Sequence, residues 1–356
     1  MGATPKPIPF DGSPFVLTAT PKIGVHWAGR PEVLKRINRL VRSLTNRTDS
    51  TLDLVWANFG CGKSHALFHI AHLLSQAAPN YFSVFVEIPE QVRHFLDLYR
   101  PIVTGLPWDK ISSLIAASAD VDVSPDLRRA AQVIQHGTPN EREIALQWVR
   151  GGHVGLRELK QIAGISARID DDVSSVEILS DILKVLADND VRLTVLMDEF
   201  QRLGTLQERY RSGILSALRS LFSRNSTHFS VVLAATTRIE RTAVDLLPQE
   251  LRTLLGMRPP ISLPEMDTDE AYEFVVERFR PFRRADFKGE QTDPIGEPAL
   301  RATIEFLAEQ KDARLIPRTL LQALGWIYDE VDAGSNKLSK EDAVKYLSEL
   351  SWDHGE

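Results

Sequence analysis

Residues 55–74 read VWANFGCGKSHALFHIAHLL, and this stretch constrains the fold more than any other. An apolar run with strand character, TLDLVWA, passes through a glycine-bearing turn directly into an apolar helical run that begins at Lys63. A strand of that kind, buried on both faces and followed at once by a helix, is the unit from which parallel α/β sheets are made. The turn fits the pattern G-x-x-x-x-G-K-[ST] at Gly62, Lys63 and Ser64, with Ala57 where the first glycine would stand. The chemistry asks for residues of these types at this spacing. Glycines let backbone N–H groups face anionic oxygens. The helix N-terminus adds a favourable partial charge. The lysine reaches the outer phosphates and the hydroxyl of Ser64 holds Mg²⁺. A plain strand–turn–helix with a solvent-facing lysine is the competing reading.

A second motif counts against that competitor. In LTVLMDE, Asp198 and Glu199 end a continuous apolar run. A carboxylate there holds magnesium and its neighbour activates a water. Further on, VVLAATT ends an apolar run in Thr236 and Thr237, hydroxyls at the strand end that lines the ligand crevice of an open parallel sheet. Together, in this order, the motifs predict binding of ATP with Mg²⁺, the metal at Ser64 and Asp198. Residues Asn58, Phe59, Gly60, Cys61, Gly62, Lys63, Ser64 and His65 form the expected nucleotide contact set. His65, His69 and His72 also recur at helical spacing and read as packing and surface residues, since the glutamate of a metalloprotease motif is missing.

The chain has 356 residues, 43% of them apolar, and a net charge of −6. That length suits one large or two modest domains. No global basic field draws the chain to nucleic acid, although a local patch stays open. The single cysteine, Cys61, excludes an intramolecular disulfide and suits a reducing compartment. Cys61 itself reads as a small residue tolerated in a loop. The proline-rich start lacks the apolar core of a signal peptide, and no apolar run is long enough to span a membrane. A cytoplasmic location is expected.

The segment RPEVLKRINRLVRSL has helical spacing, and YFSVFVEIP reads as a strand. Between residues 101 and 190, the runs SPDLRRAAQVIQ, PNEREIALQWVRGG, GLRELKQIAGI and SVEILSDILKVLAD predict a helical insertion. PPISLPEM carries a short last strand, and everything after it is helical, with Asp267, Thr268 and Ser339 as N-cap candidates. The expected division is an extended lead-in at 1–28, an α/β core at 29–264 and an α-helical lid at 265–356. Within RFRPFRR (278–284), arginines alternate with phenylalanines. A grip on a nucleic-acid strand is one reading, and a helix end packed through Phe279 and Phe282 is the preferred one.

The order of phosphate loop, Asp-Glu strand, Thr-ended strand and helical lid resembles the AAA+ P-loop ATPases, above all the origin-recognition-type initiator clade. The resemblance implies that WAGRPEVL, residues 27–34, lies against the adenine, with Trp27, Gly29 and Arg30 among the contacts. It also implies that Arg318, in the pair Pro317-Arg318, senses the γ-phosphate. Such enzymes complete each site with an arginine from the next subunit, and Arg252 and Arg258 are the first candidates, ahead of Arg238 and Arg241. A homo-oligomer is then implied. The segment ALQWVRGGHVGLRELKQIAGISARIDD, residues 145–171, is similar to an insertion in ATP-binding proteins of BREX-type phage-defence islands. That similarity implies a defence or mobile-element setting, with DNA or a protein partner. The sequence after Arg318 is too short for the winged-helix domain of many initiators, so any DNA contact falls to the core, the insertion or a partner. Three readings follow: an ATPase that remodels DNA or a partner protein, an assembly switch with little turnover, and an initiator-like or transposition-regulator ATPase that forms filaments on DNA.

Overall fold

A computed structural model describes residues 10–77, 80–237, 247, 249–255, 259–310, 314–330 and 338–349. Five strands, β1 (Thr51–Ala57), β2 (Tyr81–Glu87), β3 (Arg192–Asp198), β4 (Phe229–Thr236) and β5 (Ile261–Ser262), form one sheet in the order β2-β3-β4-β1-β5. β2 and β3 run parallel from Tyr81 opposite Arg192 to Glu87 opposite Asp198, and β3 and β4 run parallel from Leu193 opposite Phe229 to Met197 opposite Leu233. Parallel neighbours require crossovers, and helices supply them. The interior of β3 and β4 is buried throughout, as continuous apolar runs require when both sheet faces are covered. The fold is the expected α/β parallel sheet.

Helix Lys63–Ala77 joins β1 to β2. Between β2 and β3 lie helices Phe95–Thr104, Trp108–Ala117, Pro125–His136, Pro139–Val149, Leu156–Ala163 and Asp172–Asp188. Four of these match the expected helical runs. The first two do not, because Pro101 lies inside the first and Pro107 immediately precedes the second, and a proline mid-run reads as a break. Local chemistry fixes the others. Thr138 accepts from the Glu141 amide while the Glu141 carboxylate accepts from the Thr138 amide at 2.8 Å. This reciprocal cap starts helix Pro139–Val149. Asp171 caps helix Asp172–Asp188 through the Ser174 amide at 2.7 Å.

After β5 come helices Thr268–Phe279, Glu297–Glu309, Pro317–Glu330 and Lys340–Ser348. Asp267 accepts from the Glu270 amide at 2.8 Å and Ser339 from the Asp342 amide at 3.1 Å, so these two candidates cap their helices, while Thr268 is the first helical residue.

Contacts divide the chain into two compact units. One joins Met1–Ile37, Ala57–His69 and Ser262–Glu356, and the other joins Asn38–Trp56 and Ile70–Ile261. The second unit holds the larger core, in which sheet residues such as Val195, Val231 and Leu233 pack with insertion residues such as Ile102, Ile134 and Leu179. The first unit has its own core, built from Phe274, Val275, Phe279, Leu300, Leu307, Leu320, Leu324 and Ile327. The N-terminal lead-in belongs to it. Phe10 pairs with Arg283 in an antiparallel bridge, and its ring meets Phe279 at 5.1 Å. Phe15 meets Tyr328 at 5.1 Å. Arg278, buried, donates from Nε to the Pro14 carbonyl at 2.9 Å. Burial pushes this guanidinium down to about 10. Within the lead-in, Pro21–Gly24 forms one helical turn, because Pro21 opens it and Thr20 accepts from the Ile23 amide. Among the described residues no helix is long and apolar enough to cross a membrane.

Candidate nucleotide site

In the first unit the turn after β1 bends at Gly60 (φ +79°) and Gly62 (φ +94°). These angles suit glycine and strain other residues. Gly60 also has no room for a side chain: a Cβ there would stand 2.9 Å from Ile316 Cδ1 and 3.0 Å from Arg318 Cβ. A Cβ at Gly62 would meet nothing within 4 Å among the described residues. The turn is thus crowded on one side at Gly60 and open at Gly62.

The loop's carbonyls are held in place. Lys63 Nζ donates to the Asn58 carbonyl at 3.3 Å, the Arg30 Nη1 to the Cys61 carbonyl at 2.7 Å, and the Arg318 amide to the Gly60 carbonyl at 3.3 Å. The Cys61 amide also donates to the Asn58 carbonyl, at 3.4 Å, and the N-terminus of helix Lys63–Ala77 carries the partial positive charge that favours an anion. Lys63 and Ser64 are the first two residues of that helix. Cys61 is buried, and burial pushes its thiol up, opposed by the nearby Arg30 and Lys63.

Arg30 adopts φ +51° and is 5% exposed. Its Nε and Nη2 have no hydrogen-bond partner among the described residues. Burial holds the guanidinium below its ordinary value, opposed by Cys61 and Glu270. A buried cation with unused donors beside a glycine loop is an arrangement that an anionic oxygen would satisfy. Gly29 (φ +60°) donates its amide to Glu277 Oε2 at 2.6 Å. Trp27 donates from Nε1 to the Gly29 carbonyl at 2.7 Å, and its ring lies 5.6 Å from that of His65 and 5.3 Å from that of His69. Desolvation, and then the charge of Arg278, push His65 down to about 4, so the ring is neutral at pH 7. Arg318 lies in the first turn of helix Pro317–Glu330, its guanidinium carbon 4.4 Å from the centre of the exposed Phe59 ring. The first unit therefore gathers Trp27, Gly29, Arg30, Arg318 and the whole loop from Asn58 to His65. The role of Glu277 at Gly29 has no signal in the sequence.

In the second unit Asp198 ends β3, 2% exposed, and its Oδ1 accepts from the Glu199 amide at 2.8 Å. Glu199 sits at φ +60° and opens a 3₁₀ turn, Phe200–Thr205. Its Oε2 accepts from Gln201 Nε2 at 2.6 Å and lies 3.8 Å from Arg202 Nε. Arg202 also pairs with Glu87 at 3.0 Å. Thr236 ends β4, and its amide donates to Gln201 Oε1 at 2.8 Å, while Thr237 is buried. Glu199 and Thr236 are thus both tied to Gln201, for which the sequence carries no motif.

The arginine candidates are less informative. Arg252 ends helix Gln249–Arg252 and donates from Nε to the Leu247 carbonyl at 2.6 Å. Arg238, Arg241 and Arg258 lie outside the described residues. In RFRPFRR, Arg278 and Arg283 are spent inside the first unit, on the Pro14 carbonyl and on the Phe10 and Phe279 rings. The packing reading of that motif fits.

Ser64, in the first unit, and Asp198, in the second, each carry an oxygen donor of the hard kind that Mg²⁺ takes.

Residues 108–241 match the family model described as BREX system ATP-binding protein BrxC/D. The matched range includes residues 145–171, the stretch with the insertion-like wording. Among curated proteins, none matches the sequence significantly. Several solved structures share the fold. The Aeropyrum pernix ORC2 protein, in its ADPNP-ADP complexes, is 17% identical with a TM-score of 0.58, over 90% of this chain and 67% of that one. Cdc6p from Pyrobaculum aerophilum is 12% identical with a TM-score of 0.53, over 94% and 72%. The Aeropyrum pernix ORC1 protein, in complex with DNA, is 13% identical with a TM-score of 0.50, over 92% and 66%. The chain spans about two thirds of the length of the ORC proteins. In fold the chain is α/β, shared with the ORC and Cdc6 proteins, and its residues 108–241 are similar to the BREX system ATP-binding proteins BrxC/D.

Proposed function

We propose that the chain binds ATP with Mg²⁺ and hydrolyses it. The observation that carries this reading is the loop after β1: glycines at positive φ, carbonyls tied back by Lys63, Arg30 and Arg318, and a buried arginine with unused donors beside it. In this reading the loop amides and Lys63 hold the phosphates, and Trp27, Gly29 and Arg30 lie against the rest of the nucleotide. Ser64 and Asp198 hold the magnesium, which when bound neutralises charge on the outer phosphate oxygens. Glu199 orients and deprotonates the attacking water. Thr236 or Thr237, with Arg318, senses the γ-phosphate.

Arg252 or Arg258 reaches into a neighbouring copy's site, so the active form is a homo-oligomer. A core at 29–264 with a lid at 265–356 then changes shape through the cycle. That change remodels DNA or a partner protein in a cytoplasmic phage-defence or mobile-element setting, with the insertion at 101–190 as the partner surface. The match of residues 108–241 to a BREX ATP-binding model supports the setting.

The test uses a fluorescent ATP analogue and steady-state turnover on the full chain. Lys63→Ala is expected to lose nucleotide binding. Glu199→Gln is expected to bind as wild type and lose turnover by about 100-fold or more. Wild-type binding by Lys63→Ala would overturn the site, and wild-type turnover by Glu199→Gln would overturn the role of Glu199. Turnover with and without double-stranded DNA, beside light scattering with a slowly hydrolysed analogue, separates the partner classes. Stimulation with assembly marks DNA, and neither marks a protein partner.

A further inference from the structure

We infer that Gln201 is a positioning residue that sets the Glu199 carboxylate and ties it to the end of β4. The inference rests on the reading of Glu199 given above, and its evidence lies within the second unit. Gln201 Nε2 donates to Glu199 Oε2 at 2.6 Å, and Gln201 Oε1 accepts from the Thr236 amide at 2.8 Å. The chemistry of the two neighbours fixes the orientation of the carboxamide. The Thr236 amide only donates and an ionised carboxylate only accepts, so each end of the Gln201 carboxamide has one allowed assignment.

Both bonds answer a local need. The ladder between β3 and β4 ends at Met197 opposite Leu233, while β4 continues to Thr236. Gln201 therefore serves an amide beyond the end of that ladder. Glu199 stands at φ +60°, where a non-glycine residue is held only by its surroundings. Its main chain is fixed by its amide on Asp198 and by the Arg202 amide on its carbonyl at 2.9 Å. Its side chain is fixed by Gln201 at hydrogen-bond distance, with Arg202 more distant at 3.8 Å. A residue in this place must offer a donor and an acceptor from one planar group at the reach of two methylenes. Glutamine meets that requirement. Leucine offers neither bond, and glutamate keeps the acceptor for Thr236 but turns a second carboxylate towards Glu199. Water activation depends on sub-ångström placement of the base, so a freed Glu199 side chain loses rate without losing affinity.

The experiment measures turnover, KM and nucleotide affinity for Gln201→Leu and Gln201→Glu, alone and combined with Glu199→Gln. Each single variant is expected to lower kcat by about 10- to 100-fold, with KM and nucleotide affinity within about twofold of wild type. In the Glu199→Gln background neither variant should add a further loss, because the group being positioned is already disabled. A structural role alone would lower activity equally in both backgrounds. If Gln201→Leu fails to fold, Gln201→Glu, which retains the bond to β4, carries the test. Wild-type kcat in Gln201→Glu, or additive losses in the double variants, would overturn the inference. Wild-type turnover in Glu199→Gln alone would instead overturn the role of Glu199, so the two failures are distinguishable.

Discussion

The turn after β1 and the turn after β3 both carry backbone at positive φ, but they are built from different residues. The first uses glycine, at Gly60 (+79°) and Gly62 (+94°), and the second uses Glu199 (+60°). Glycine meets such angles without steric cost, whereas an L-residue there costs about 1–2 kcal/mol. In the function proposed above, the loop works through its backbone amides, so glycine suffices, and the second turn works through a carboxylate at the bend. The strain at Glu199 is offset by hydrogen bonds to Asp198, Gln201 and the Arg202 amide. Where a turn binds with its main chain, the sequence shows glycine, and where it acts with a side chain, the sequence shows an ordinary residue and the strain goes unannounced.

Substitutions can separate these two ways of making a bend. The largest effect is expected at Gly60. Gly60→Val adds a side chain where Ile316 and Arg318 already stand, on top of the unfavourable φ. It should lower stability by about 2–3 kcal/mol in chemical denaturation. Gly62→Ala meets no such crowding among the described residues and should cost only about 1 kcal/mol. Equal losses at the two positions would mean that φ alone governs the loop. At the second turn, Glu199→Gly should be more stable than Glu199→Ala by about 1 kcal/mol, since both remove the carboxylate and only glycine relieves the bend. Equal melting of these two variants would remove the strain from the comparison. The smallest effect belongs to Phe59→Ala, which removes the exposed stack under Arg318 and should change stability by about 0.5 kcal/mol. A loss above about 2 kcal/mol would show that Phe59 does more than support that arginine.

Much of the core was legible because its signals are local. β1, β3 and β4 are apolar runs, and the candidate site residues stand at or just after their ends, so periodicity and motif agree. The capped helices were legible for the same reason, as Asp267 and Ser339 illustrate. Helices Phe95–Thr104 and Trp108–Ala117 were not, because Pro101 and Pro107 read as breaks while burial of Phe95, Tyr99, Trp108 and Ile111 outweighs them. The lead-in was read as a bare extended segment. Its Phe10 and Phe15 lie in a proline-rich stretch without periodicity, and their partners Phe279 and Tyr328 stand at the far end of the sequence. Gln201 and Glu277 were invisible for a related reason. Each accepts from a backbone amide distant in sequence, Gln201 from Thr236 and Glu277 from Gly29, and a single polar side chain in a turn or on a helix carries no pattern.

The unit that holds the turn after β1 is made of three separated pieces of chain, Met1–Ile37, Ala57–His69 and Ser262–Glu356. This has a consequence for biosynthesis. As the polypeptide leaves the ribosome, Ile316 and Arg318, which close on Gly60, follow the loop some 250 residues later. At about 5–20 residues per second that interval is on the order of 10–50 s. Contacts so distant in sequence also form slowly. The loop therefore waits on a distant stretch of chain, and its full set of contacts forms only once Ile316 and Arg318 have been translated.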